Sequence, residues 1–312
     1  MRVLVLGAGV LGSYLAHSLI KAGNDVTMLA RGKRYEQIID KGLVIRHYFQ
    51  KKTTVDMIDV ISELKEDDLY DLIFVVMKYN QFSSVFSTLA NNISENIVLV
   101  GNNANPKRME AEIQELSKSK KKIGFGFQTS AGMREDSGRV VSIHGKGNVM
   151  FGDLNGDLAL QETVKKAFGT HYKVKIEKDI EAWLLTHYVY ILPMNSLLYI
   201  NDLNTKKISK SKGDLNKMIE ATDEGFEVLK ENGVNITPAS QGKLISDYQK
   251  LYYFAMKIYF KLPMNKIVSG SFNEMVALYN EFDKLKSKTK VDIKNWNELQ
   301  KESLKGYKIN NI

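Results

Sequence analysis

The chain has no cysteine among its 312 residues. That excludes disulfides, a thiol nucleophile and any cysteine-built metal site, and it suits a cytoplasmic protein. Long apolar runs are lacking as well. None reaches the ~18 residues needed to span a bilayer, so no membrane partner is expected. The first strand pattern abuts Met1, so no leader peptide is expected ahead of it. Internal repeats and low-complexity linkers are also absent. The lysines, among them Lys118, Lys120, Lys206 and Lys210, lack interleaved aromatic residues. They read as solvated faces, and nucleic acid is not expected as a partner.

What is present is an ordered globular composition, 44% hydrophobic and 26% charged. The length suits one large or two medium domains. A net charge of +8 favours anionic ligands.

The most informative stretch is Met1 to Arg31. Arg2 to Leu6 is short, apolar and rich in branched residues, as in a parallel strand covered on both faces. It runs into Gly7-Ala8-Gly9-Val10-Leu11-Gly12. Leu11, Leu15, Leu19 and Ala22 then recur at helical spacing until Gly23-Asn24, and Val26 to Leu29 forms a second strand. A G-x-G-x-x-G turn between a strand and a helix, within a βαβ unit, predicts dinucleotide binding. Gly7 permits the tight turn, Gly9 lets a pyrophosphate approach the backbone, and Gly12 brings the helix close to the strand. The free N–H groups at the helix start, around Val10 and Leu11, attract phosphate.

The end of the second strand selects the dinucleotide. An NAD site usually carries Asp or Glu there to bind the ribose 2′-OH. Here Met28-Leu29-Ala30-Arg31 has no carboxylate until Glu36, and Lys33 and Arg34 stand close by. A guanidinium suits a 2′-phosphate, so Arg31 favours NADP(H) over NAD. The alternative is that these are ordinary solvated loop cations.

Further strands are predicted at Leu43–Ile45, Leu72–Val76, Asn96–Val100, Lys120–Phe127 and Lys173–Ile176. Val140–His144 and Val149–Gly152 read as an antiparallel pair joined through Gly145-Lys146-Gly147. Lys78 and Asn102 follow strand ends, where an open α/β sheet binds ligands. After Lys178 the texture becomes helical. Helices are predicted over Trp183–Asn201 (with Pro193 inside), Asp214–Asn232, Ser240–Phe260 and Ser271–Lys286, the last N-capped by Ser271. The expected class is α/β: a Rossmann-type parallel-sheet domain over 1–178 and an all-helical substrate and dimerisation domain over 179–312.

On these residues the chain resembles the ketopantoate reductase family, NADPH-dependent 2-hydroxy-acid dehydrogenases. Gly7, Gly9 and Gly12 match the family's phosphate loop and Arg31 its 2′-phosphate arginine. Lys78, in Val-Met-Lys-Tyr-Asn-Gln, matches a lysine that reaches the cofactor. Asn102 matches an Asn-Gly motif, although Asn103 replaces the glycine. Phe127 to Gly132, then Gly138-Arg139-Val140, resemble the segment that closes over the nicotinamide, with Ala131 as the backbone contact. Ser271-Phe272-Asn273-Glu274-Met275 resembles a late motif whose glutamate faces the cofactor; an exposed helix carboxylate is the competing reading of Glu274. The resemblance also implies a small 2-oxo acid or carbonyl substrate and pairing of two chains through the second domain.

The carboxyl half departs from the family. There the catalytic lysine stands two residues after a tryptophan. Here Trp183 is followed at that distance by Leu185, which can neither donate a proton nor stabilise an alkoxide. The substrate asparagines of the family align with Val189 and Pro193. His187 lies on the same helix and is a candidate general acid, since an imidazolium can donate a proton near neutral pH. It stands about 200° around the helix from position 185, so it cannot occupy the lysine's place. A histidine bonded within the helical domain is the competing reading, and Lys78 is the other candidate donor. The readings that follow are an NADPH-dependent reductase with an unusual acid, or a non-catalytic NADP(H)-binding relative.

Overall fold

A computed structural model of the chain describes residues 1–143, 147–262 and 271–310. It divides into two compact units: Met1–Gly101 with Pro106–Ile180, and Asn102–Asn105 with Glu181–Ile312.

The first unit begins β1 (Arg2–Leu6), α1 (Val10–Lys21), β2 (Asp25–Leu29), α2 (Lys33–Lys41), β3 (Leu43–His47), β4 (Lys52–Asp56) and β5 (Asp59–Ile61). It continues with β6 (Leu72–Val76), α3 (Phe86–Asn91), β7 (Asn96–Val100), α4 (Pro106–Leu116) and β8 (Lys122–Gln128). It closes with β9 (Ala131–Arg134), β10 (Val140–Ile143), β11 (Asn148–Asp153), α5 (Leu158–Phe168) and β12 (Lys173–Ile176). Between β6 and α3 the chain makes a 3₁₀ helix over Tyr79–Val85.

The described strands form two sheets. The larger has the order β12-β11-β8-β7-β6-β1-β2-β5, parallel throughout except between β8 and β11. Its β6, Leu-Ile-Phe-Val-Val, is buried at every residue, as a strand covered on both faces must be. The order reverses at β1: Leu6 pairs with Leu29 of β2 on one side and Val75 of β6 on the other. Such a reversal opens a crevice at the carboxyl ends of the strands, and Gly7 and Lys78 follow the ends of β1 and β6.

The smaller sheet, β4-β3-β10-β9, corrects the sequence reading. The expected hairpin between Val140–His144 and Val149–Gly152 does not form. Instead β10 pairs with β9 and β3, whereas β11 pairs with β8 and β12 in the larger sheet. Each strand finds partners far along the chain, which local spacing cannot reveal. His144, Gly145 and Lys146 lie outside the described residues. The second sheet packs on α1 through β3, β9 and β10. That explains why every residue from Gly12 to Leu19 is buried, both beside and away from the leucine stripe.

The second unit contains α6 (Ile180–Ile200), α7 (Thr205–Lys210), α8 (Lys212–Glu231), α9 (Ala239–Ser246), α10 (Gln249–Tyr259), α11 (Phe272–Lys286) and α12 (Lys294–Asn310). Pro193 stands inside α6 without ending it. The single helix expected over Ser240–Phe260 is two helices, interrupted at Asp247 and Tyr248. Buried Ile245, Tyr252 and Met256 continue an apolar period through the break, so the pattern conceals it. Ser271 precedes α11 as N-cap but makes no side-chain cap bond. The core centres on Trp296, which is fully buried, stacks on Phe282 at 3.9 Å and meets the edge of Tyr279 at 5.6 Å. Among the described residues no helix is long and apolar enough to cross a membrane.

Candidate functional site

The glycine turn separates into two kinds of position. A Cβ on Gly7, whose φ is +118°, would run into the Val76 carbonyl, and one on Gly12 would run into the Gly7 carbonyl. These two glycines are demanded by the protein's own packing. Around a Cβ on Gly9 nothing lies within 4 Å. Its missing side chain leaves a space open beside the start of α1. The first bond of that helix runs from Ser13 N to Gly9 O at 3.0 Å, so the preceding amides, those of Val10, Leu11 and Gly12, have no helical acceptor. No acidic residue occupies the first turn. The arrangement can cradle an anion.

The cations after β2 have different fates. Arg31 and Lys33 are exposed, whereas Arg34 is buried and no solvated loop cation. Its Nε donates to Ala8 O at 3.0 Å, Nη1 to Gly138 O at 2.6 Å and Nη2 to Ser13 Oγ at 3.0 Å. Burial, with the charge of Arg134 adding to it, pulls its pKa down to about 10. Arg34 thus ties the phosphate loop to the turn before β10 and is not available to a 2′-phosphate. Sequence reasoning missed this role, because nothing local distinguishes Arg34 from Arg31. Lys78 is exposed after β6, and Ala131 is half-buried at the start of β9.

In the second unit, Asn102 and Glu274 meet. Asn102 Nδ2 donates to Glu274 Oε1 at 3.2 Å. Glu274 is buried, which overturns the reading of it as an exposed helix carboxylate. Asn102 Oδ1 is buried with no partner among the described residues.

On α6, Leu185, Val189 and Pro193 are all buried. Val189 packs where a Cβ on Gly225 of α8 would lie, beside Trp296. Leu185, Val189 and Pro193 therefore belong to the hydrophobic core of the helical unit. His187 lies elsewhere on the helix. It stacks on Trp183 at 5.1 Å with ring planes 5° apart and lines a cavity of about 510 Å³ with Tyr190, Leu244 and Tyr252. Desolvation lowers its pKa to about 4. The ring is neutral at pH 7, so the imidazolium required of a general acid is scarce there. That direction runs against the expectation of His187 as an acid near neutral pH.

A parallel sheet whose glycine turn opens onto an uncapped helix start defines a Rossmann-type nucleotide-binding protein with a helical second unit. Residues 3–156 match the family model described as ketopantoate reductase PanE/ApbA, and over that stretch the chain is similar to this family of oxidoreductases. An uncharacterized oxidoreductase of Bacillus subtilis, YkpB, is 25% identical over 241 residues, 77% of this chain and 78% of that protein. The 2-dehydropantoate 2-reductase of Pyrococcus horikoshii is 24% identical over 257 residues, 80% of each chain. D-mandelate dehydrogenase, in a ternary structure with NADH and anilino(oxo)acetate, has the same fold, with a TM-score of 0.80 over 100% of both chains at 16% identity.

Proposed function

We propose that the protein is an NADPH-dependent reductase of a small 2-oxo acid or related carbonyl compound. The observation that carries this reading is the end of β2, where exposed Arg31 stands and no carboxylate precedes Glu36. A guanidinium there favours a 2′-phosphate, where a carboxylate would favour a free 2′-hydroxyl. The open space at Gly9 and the orphaned Asn102 Oδ1 fit a pyridine dinucleotide. When bound, NADPH supplies a hydride to the carbonyl carbon. The amides of Val10 and Leu11 hold pyrophosphate, and Arg31 holds the 2′-phosphate. Ala131 offers a backbone contact, and Asn102 is oriented by Glu274. Lys78 is the remaining candidate to place positive charge and a proton at the carbonyl oxygen, because His187 is neutral. Ketopantoate itself is not expected as substrate, since Val189 and Pro193 replace the asparagines that hold it in the resembled family.

A second reading is a non-catalytic NADP(H)-binding relative. Buried Leu185 at the lysine position and neutral His187 favour it. NADPH oxidation against ketopantoate and a panel of 2-oxo acids, for wild type and Leu185→Lys side by side, separates the two. Wild-type turnover supports the reductase. Turnover confined to the lysine variant supports the second reading.

The reading includes a second copy of the chain as partner. In its support, Leu251, Phe254 and Ile258 of α10 are each at least 60% exposed. Light scattering after size exclusion tests the pairing.

A further inference from the structure

The cavity beside His187 lies wholly within the helical unit, and the reductase reading leaves it without a task. Its volume, about 510 Å³, falls within the roughly 300–1,000 Å³ of small-molecule sites. It lies on α6 away from Leu185, between that helix, the start of α9 and α10. No acidic residue, lysine or arginine is among the described residues that line it. The lining comprises uncharged hydrogen-bonding groups, those of His187, Tyr190, Ser240, Gln241 and Tyr252, together with the apolar Leu244 and Ile245.

The polar groups are organised. Trp183 lies flat against the imidazole of His187 and fixes the plane of that ring. Tyr190 and Tyr252 have ring centroids 6.3 Å apart, and the two phenols interact with each other. Burial raises the pKa of both phenols and lowers that of the imidazole, so all three groups stay neutral through the physiological range. The cavity is open to solvent on one side, and an ionised ligand placed here would gain no opposite charge to offset whatever hydration it lost. A flat neutral ring would bury apolar surface and still satisfy its oxygen on the tyrosine and amide groups.

We propose that this cavity binds an uncharged aromatic molecule of about one ring bearing a hydroxyl or carbonyl oxygen, held by His187, Tyr190 and Tyr252 against Leu244 and Ile245. The site does not depend on the dinucleotide, and the proposal does not rest on the reductase reading.

The test is calorimetric titration of the full chain, without cofactor, at pH 7.5. The probes are p-cresol, which is neutral, and benzoate, which is an anion of similar size. p-Cresol should bind at least about tenfold more tightly than benzoate. Leu244→Trp, at a half-exposed lining position, fills the space and should abolish p-cresol binding; Gln241→Trp is the second blocking variant should the first lose its circular dichroism. p-Cresol should also change the tryptophan emission of wild type, and Trp183→Phe should remove that change while calorimetric binding persists. Equal or tighter binding of benzoate, unchanged binding in folded blocking variants, or no heat from p-cresol up to its solubility would each overturn the proposal.

Discussion

Asn102 and Glu274, 172 residues apart, share a hydrogen bond of 3.2 Å between the Asn102 amide and the Glu274 carboxylate. The helix residue fixes the orientation of an asparagine that follows β7, and leaves Asn102 Oδ1 as a buried acceptor without a partner among the described residues. Glu274→Ala should destabilise the protein by about 1–3 kcal/mol in urea unfolding, because the buried amide loses its partner. Glu274→Gln, which retains an acceptor oxygen, should cost less than about 1 kcal/mol. Equal losses for the two would show that the bond contributes nothing.

The two kinds of glycine should separate in mutagenesis. Gly9→Ala meets open space, and its φ of −77° suits any residue. It should leave the melting temperature nearly unchanged yet weaken NADPH by about 10–100-fold, as expected for lost amide–phosphate bonds. Gly12→Ala collides with the Gly7 carbonyl and should cost about 1–3 kcal/mol of stability. Paired melting and cofactor titration make the comparison.

Arg31 and Arg34 should also behave differently. Arg31→Ala should weaken NADPH by about 10–100-fold and NADH hardly at all, with no loss of stability. Arg34→Ala leaves Ala8 O and Gly138 O without their donor, so it should destabilise the fold by about 2–4 kcal/mol and weaken both cofactors alike. An NADPH-selective effect of Arg34→Ala would reassign the 2′-phosphate contact.

His187 should leave a signature in the acid range. The unfolded chain takes up a proton at this residue near pH 6.5, and the folded chain refuses it until about pH 4. Unfolded molecules therefore bind more protons between those values, and stability falls as the pH drops through that window. His187→Phe should flatten this part of the stability profile. In proton NMR the imidazole resonance of His187 should not titrate between pH 6 and 8; a midpoint near 6.5 would restore it as a candidate acid.

The local half of this protein was readable from residues alone. Arg2–Leu6, the glycine turn, α1 and β2 are contiguous, and their chemistry is dictated by neighbours a few positions apart. The same holds for the missing carboxylate after Leu29. What only the tertiary structure decided depends on residues far apart in the chain. The second sheet joins β3 and β10 across about a hundred residues, which no periodicity records. Arg34 and Arg31 differ in role only because Ala8, Ser13 and Gly138 converge on one of them. Glu274 is buried because α11 meets Asn102, and Val189 is apolar because Gly225 lets α8 and Trp296 close against it. His187 holds its ordinary pKa in an unfolded chain, and only the protein packed around it removes the water that would stabilise its charge.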